Sequence, residues 1–172
     1  DRAAIQRAID AASSGTAIRF PKGTYKVNGQ IKLKSNVGLI GDGATIDSRG
    51  YERSALVLDG VKGVEISGFT FVGPKTKDQY SRAVDLRSGA NGNLIRNNRF
   101  RYYYGGAVVV NGTNNTIRDN VFEEVNNSPP ESGAHYGSIH LFKGEGNVVI
   151  GNEIRDFDFS GISVYASNRN LI

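Results

Sequence analysis

The chain has 172 residues and no cysteine, methionine or tryptophan, with 21 Lys and Arg against 17 Asp and Glu, a formal charge of +4. Those figures exclude a disulfide framework and any Cys-ligated zinc or iron–sulfur site, and a hydrophobic content of 38% is too high for a disordered chain of so little charge. No apolar run approaches the roughly 20 residues of a membrane-spanning helix. No two basic residues are adjacent, so a disordered basic arm is absent as well.

The first element is a helix. Asp1 is placed to cap residues 2–14, where Ile5, Ala8, Ile9 and Ala12 form one narrow apolar stripe. Gly15 stands where a left-handed C-cap is wanted. Short strands follow at Ala17–Phe20 and Thr24–Val27, around Pro21-Lys22-Gly23. Beyond them the chain consists of short strands, glycine turns and asparagine.

That remainder repeats. Four segments share two apolar residues five apart: 64–71, 93–100, 115–122 and 147–154. Ile66, Ile95, Ile117 and Val149 fill one column, and Phe71, Phe100, Phe122 and Ile154 another. The second column recurs at intervals of 29, 22 and 32 residues, which describes a constant rung with loops of different length inserted at one place. A third set of strands, Leu56–Leu58, Val84–Leu86, Val108–Val110, Ile139–Leu141 and Ile162–Val164, lies between them. Alternation turns the first and last residue of each trio inward and the middle one outward. Rungs of about 22 residues stacked about 4.8 Å apart make a solenoid. Asn98, Asn120 and Asn152 share one position, where their amides can bond along the stack. Arg101, Glu123 and Arg155 form an alternating charge ladder. The expected fold is therefore all-β, a parallel β-helix, with an N-terminal capping helix.

The opening residues add a resemblance. Ala4-Ile5-Gln6-Arg7-Ala8-Ile9-Asp10-Ala11-Ala12, then Phe20-Pro21-Lys22-Gly23-Thr24-Tyr25-Lys26-Val27 and Leu33 to Ile46, resemble the N-terminal part of the pectate-lyase-like superfamily. The Asn-x-Ile-x-x-Asn-x-Phe rung extends the resemblance over the remaining chain. It implies a right-handed parallel β-helix and a carbohydrate-active protein that is secreted or on the cell surface. That superfamily holds pectate and alginate lyases, uronan epimerases, polygalacturonase-type hydrolases and tailspikes. The Asn-Thr-Asp, Asp-Asp and Gly-His-Gly motifs of polygalacturonases are absent, as are the Trp-Ile-Asp-His run of pectate lyases and the Asp-Pro-His run of mannuronan epimerases. Residues 1–172 read as one domain; because Asn170-Leu171-Ile172 repeats Asn93-Leu94-Ile95, they are expected to be the N-terminal part of a longer chain.

In a solenoid, insertions gather on one face, often the binding face. The long ones, 72–82 and 123–137, run into the strands bearing the outward columns Asp85, Val109, His140, Ser163 and Arg87, Asn111, Phe142, Tyr165. A groove lined there by His, Tyr, Lys and Arg suits an acidic polysaccharide. Proton abstraction beside a uronate carboxylate, by a lyase or an epimerase, needs cations for the enolate-like charge and a group that moves a proton. His140 is the expected base, since a free imidazole titrates near pH 6.5. His135 and Tyr136 are the further catalytic residues, and Arg82, Arg87 and Lys143 are expected to hold the carboxylate. Tyr102, Tyr103 and Tyr104 are expected either to stack on sugar rings or to pack the loop. Glu124 and Asp156, with Asp158 near, align on adjacent rungs as a hydrolase pair or as oxygen ligands for Ca²⁺. The alternatives are a glycoside hydrolase of the same fold and a non-catalytic glycan-binding, tailspike or adhesin solenoid. No recognition helix or clustered basic face suggests nucleic acid.

Overall fold

The structure, a computed structural model, describes residues 1–51, 53–75, 81–125, 136–157 and 159–172. The chain is an all-β parallel solenoid with one short helix, Arg2–Ala11. Each rung contributes one strand to each of three sheets, and every sheet holds six parallel strands. The apolar columns set the register. In the first sheet Ile18, Leu39, Ile66, Ile95, Ile117 and Val149 lie one above another. In the second they are Tyr25, Ile46, Phe71, Phe100, Phe122 and Ile154. The third, built of Ile31–Lys32, Ser54–Leu58, Arg82–Leu86, Val108–Val110, Ile139–Phe142 and Ile162–Tyr165, stacks Ile31, Leu56, Val84, Val108, Ile139 and Ile162. Within the core the rings of Phe71, Phe100 and Phe122 stack with centroids 5.0 and 4.8 Å apart. Each such ring contributes about 1.5–3 kcal/mol by leaving water.

The helix closes the N-terminal end of this core with Ile5 and Ile9, both buried. It is shorter than the periodicity predicts, ending at Ala11 with Ala12 extended. Lys34 caps that end, its Nζ donating to the carbonyls of Asp10 (3.1 Å) and Ala12 (2.7 Å). The Asp1 side chain makes no cap either; Oδ2 accepts the Lys26 backbone N–H at 2.8 Å.

Two of the three corners are tight and built on asparagine. Between the first and second sheets, Gly68, Asn97, Asp119 and Gly151 take left-handed φ of 78, 52, 55 and 65°. At Gly68 a Cβ would stand 2.1 Å from the Gly41 carbonyl oxygen, so glycine is required. The expected ladder follows in the next residue. Asn98 Nδ2 donates to Asn120 Oδ1 (3.2 Å) and Asn120 Nδ2 to Asn152 Oδ1 (2.9 Å), while each amide also bonds backbone. A second ladder, at the corner from the third sheet to the first, joins Asn93, Asn115, Asn147 and Asn170 in the same way. The third corner, from the second sheet to the third, takes the long insertions of the sequence.

Candidate active site

The outward columns of the third sheet meet at a cleft of about 290 Å³, lined by Arg82, Asp85, Arg87, Val109, Asn111, Tyr136, His140 and Phe142. Arg82 opens one strand and Asp85 points outward from it, with Arg87 just after its end. Asn111 follows the next strand, and the one above carries His140 and Phe142. Tyr136 enters from the loop before them.

The outward column is not solvated as alternation alone implies. Val57, Asp85, Val109 and His140 are each 5% exposed or less. Long neighbouring side chains cover them: Asp85 lies under two arginines, and His140 between Tyr136 and Phe142.

Asp85 organises the cationic side of the cleft. Its Oδ1 accepts Arg82 Nη1 at 3.2 Å, and its Oδ2 accepts Arg87 Nε at 3.1 Å and the Ser54 hydroxyl at 2.9 Å. Arg87 also pairs with Asp59 at 3.8 Å, so the two guanidinium groups are held by two carboxylates. The Arg82 Nε is buried and has no hydrogen-bond partner among the described residues. Its guanidinium carbon lies 6.0 Å from the centre of the Tyr136 ring.

His140 is held on three sides. The Tyr136 ring meets it edge-on at 4.9 Å and Phe142 stacks on it at 5.7 Å. Nδ1 lies 2.6 Å from the Ser163 hydroxyl, which accepts the Gly137 N–H at 2.7 Å. Burial, helped by the charge of Arg82, pushes the imidazole pKa down to about 4. At neutral pH the ring is therefore uncharged and can exchange a proton with a substrate.

The remaining expected residues lie elsewhere. Tyr103 is fully buried, its hydroxyl 2.9 Å from that of Ser48, and burial raises its pKa. It has no face to offer a sugar, and its role is packing. Tyr102 stands at the loop corner with left-handed φ, between Lys75 Nζ and the Arg101 guanidinium at 4.5 and 4.9 Å. The Tyr104 backbone N–H donates to the Ser81 hydroxyl. Lys143 places its ammonium 5.0 Å from the centre of the Phe142 ring. None of these four lines the cleft. His135 and Asp158 lie outside the described residues.

The charge ladder is present but less exposed than a surface ladder would be. Glu123, 9% exposed, pairs with Arg99 at 2.8 Å, with Arg101 and with Arg155. Glu124 is engaged by Lys75 and Arg101 at 3.2 and 3.5 Å, at the corner rather than in the cleft. Among the described residues no group of three or more His, Asp and Glu could hold a metal ion. No described helix is long and apolar enough to cross a membrane.

Sequence reasoning reached His140, Tyr136, Arg82 and Arg87, and the structure brings these four together. It assigned no role to Asp85 or Ser163, although its column alignment placed both beside the residues they hold.

A three-sheet parallel solenoid whose insertions gather at one corner is the architecture of the pectate-lyase-like, carbohydrate-active β-helix proteins. The sequence profile of the family described as rhamnogalacturonase A/epimerase, pectate lyase-like, matches residues 1–170, and the chain belongs to that family. Among curated proteins none matches it by sequence. Two solved structures share the fold. A candidate glycosyl hydrolase from Parabacteroides merdae is 17% identical with a TM-score of 0.77, the match covering 98% of this chain and 87% of that one. PfbA, a surface adhesin of Streptococcus pneumoniae, is 18% identical with a TM-score of 0.72, and the match covers 98% of this chain but 53% of the adhesin.

Proposed function

We propose that the protein acts on an acidic, uronic-acid polysaccharide in the third-sheet cleft, by moving the proton on the carbon beside the carboxylate. The observation that supports this most is an uncharged imidazole sharing one small cleft with two guanidinium groups. Arg82 and Arg87 bind the carboxylate and stabilise the negative charge that grows on it as the C–H bond breaks. His140 and Tyr136 form the proton-transfer pair. In elimination the C–H electrons become a double bond and the neighbouring glycosidic oxygen leaves, taking up a proton. In epimerisation a proton returns to the same carbon from the opposite face. The substrate is a polymer met outside the cell or on its surface.

The hydrolase alternative has less support. It needs two carboxyl groups across the scissile bond, about 5–5.5 Å apart or roughly 6.5–9.5 Å apart. Among the described residues the cleft holds one, Asp85, and it is bound by two arginines.

The test is ultraviolet absorbance of polygalacturonate, alginate and glycosaminoglycan solutions with added protein. Elimination creates a conjugated double bond, so a steady rise on one polymer identifies a lyase and its substrate class. If absorbance stays flat while proton NMR shows inverted uronate centres, the reaction is epimerisation. Flat absorbance, no inverted centres and release of new reducing ends would instead establish hydrolysis and overturn the proposal.

A further inference from the structure

The contact between His140 and Ser163 bears on the direction in which the imidazole works. Ser163 Oγ already accepts one hydrogen, from the Gly137 backbone N–H at 2.7 Å. Its other contact is His140 Nδ1 at 2.6 Å, a strong hydrogen-bond distance. A hydroxyl has one proton to give. Of these two contacts only Nδ1 can accept that proton, since the Gly137 N–H is itself a donor.

We propose that Ser163 fixes His140 as the tautomer with Nδ1 unprotonated and Nε2–H presented to the cleft, so that the imidazole serves as a hydrogen-bond donor rather than as the base. This rests on the proposed proton chemistry for its consequence but not for its geometry. Gly137 fixes the serine from one side. A Cβ on Gly137 would stand 2.5 Å from the Ser163 backbone nitrogen, so the two strands are pressed together there and the hydroxyl is held in place. Tyr136 and Phe142 restrict the ring, so a flip that exchanged the two nitrogens would have to displace aromatic neighbours. The low affinity of the ring for a second proton agrees with this arrangement. A doubly protonated ring would turn Nδ1 into a donor and force the serine proton away from its acceptor.

The chemical result is a cleft of donors: two guanidinium groups and the Nε2–H, all suited to an oxygen that gains negative charge. A neutral imidazole can act as such an electrophile at neutral pH. Ser163 is then a positioning residue acting through His140. The carbon-bound proton goes to Tyr136, the other protic side chain against the imidazole, in its phenolate form, whose own proton has first passed to solvent, and His140 stabilises the enolate-like oxygen or protonates the leaving one.

The experiment is long-range ¹H–¹⁵N NMR of the full chain at neutral pH. The chain has two histidines, and His140→Gln identifies the His140 signals by their loss. The expected spectrum shows a protonated Nε2 and an unprotonated Nδ1. Ser163→Thr, which keeps the hydroxyl, retains that pattern; Ser163→Ala lets the ring exchange between tautomers. A protonated Nδ1 in the unsubstituted chain would overturn the proposal, as would an unchanged pattern in a folded Ser163→Ala chain. Should Ser163→Ala fail to fold, the unsubstituted and Ser163→Thr spectra still decide. No substrate enters the measurement. Failure of the uronate reading therefore leaves this result intact, and a working lyase with protonated Nδ1 contradicts the tautomer alone.

Discussion

The asparagine corners and the third-sheet cleft use polar side chains in opposite ways. In the two ladders each amide is bonded within the protein. Asn120 accepts from the backbone N–H and the side-chain amide of Asn98 and donates to the Ile95 carbonyl and to Asn152. Nothing is left over for a ligand, and the arrangement repeats from rung to rung. In the cleft the groups are different on each rung, and an imidazole is held uncharged beside the Arg82 guanidinium. The difference shows that a solenoid can keep one corner constant for stability while varying the strand face beside its loops for chemistry.

That contrast predicts a separation of effects. The largest belongs to the cleft: His140→Gln should slow turnover by about 10²–10⁴ while leaving thermal unfolding within a few degrees, because a general acid or a donor to a developing oxyanion contributes on that scale. Steady-state rates and a melting curve on the same preparation check both halves. Next comes the ladder. Asn120→Ala strands several buried backbone and amide groups and should cost about 3 kcal/mol or more of stability, measured by urea unfolding. Whatever fraction remains folded should keep its turnover per molecule; a folded, inactive Asn120→Ala protein would break the comparison.

The third effect is on pH dependence. An unfolded chain binds a proton at His140 with a pKa near 6.5, the folded chain only near 4. Between those values the unfolded state holds more protons, so stability falls as the pH drops from 6.5 towards 4. The loss attributable to His140 is about 2–3 kcal/mol, read as the difference between the unsubstituted chain and His140→Gln in unfolding at pH 7 and pH 4.5. The smallest effect sharpens the placement of Tyr103. Tyr103→Phe removes its contact with Ser48 and should cost about 1 kcal/mol with no change in turnover, since the ring never meets substrate.

Much of the fold was legible because apolar columns repeat. Ile66, Ile95 and Ile117, and Phe71, Phe100 and Phe122, pair in the register that the sequence alignment implies. The helix end was not legible, since its last carbonyls are capped by a lysine 22 residues on from Ala12. The Asn93 ladder was missed although asparagine stands first in each of the later repeats. The tyrosines at 102–104 could not be sorted. They sit at an irregular corner where neither period 2 nor period 3.6 says which ring turns inward, and the structure buries the middle one. In the cleft, His140, Tyr136 and the arginines were readable from residue type and column. Asp85 and Ser163 were not, because their roles come from bonds made across rungs.

The measurement that tests the central claim most directly is proton NMR of uronic-acid polymers in deuterated water with the unsubstituted protein and with His140→Gln. Elimination and epimerisation both break the C–H bond beside the carboxylate. The account predicts that the signal of that hydrogen disappears on one polymer with the unsubstituted protein and persists with the variant. A polymer that is degraded while this hydrogen stays in place, or an equal loss with His140→Gln, would contradict it.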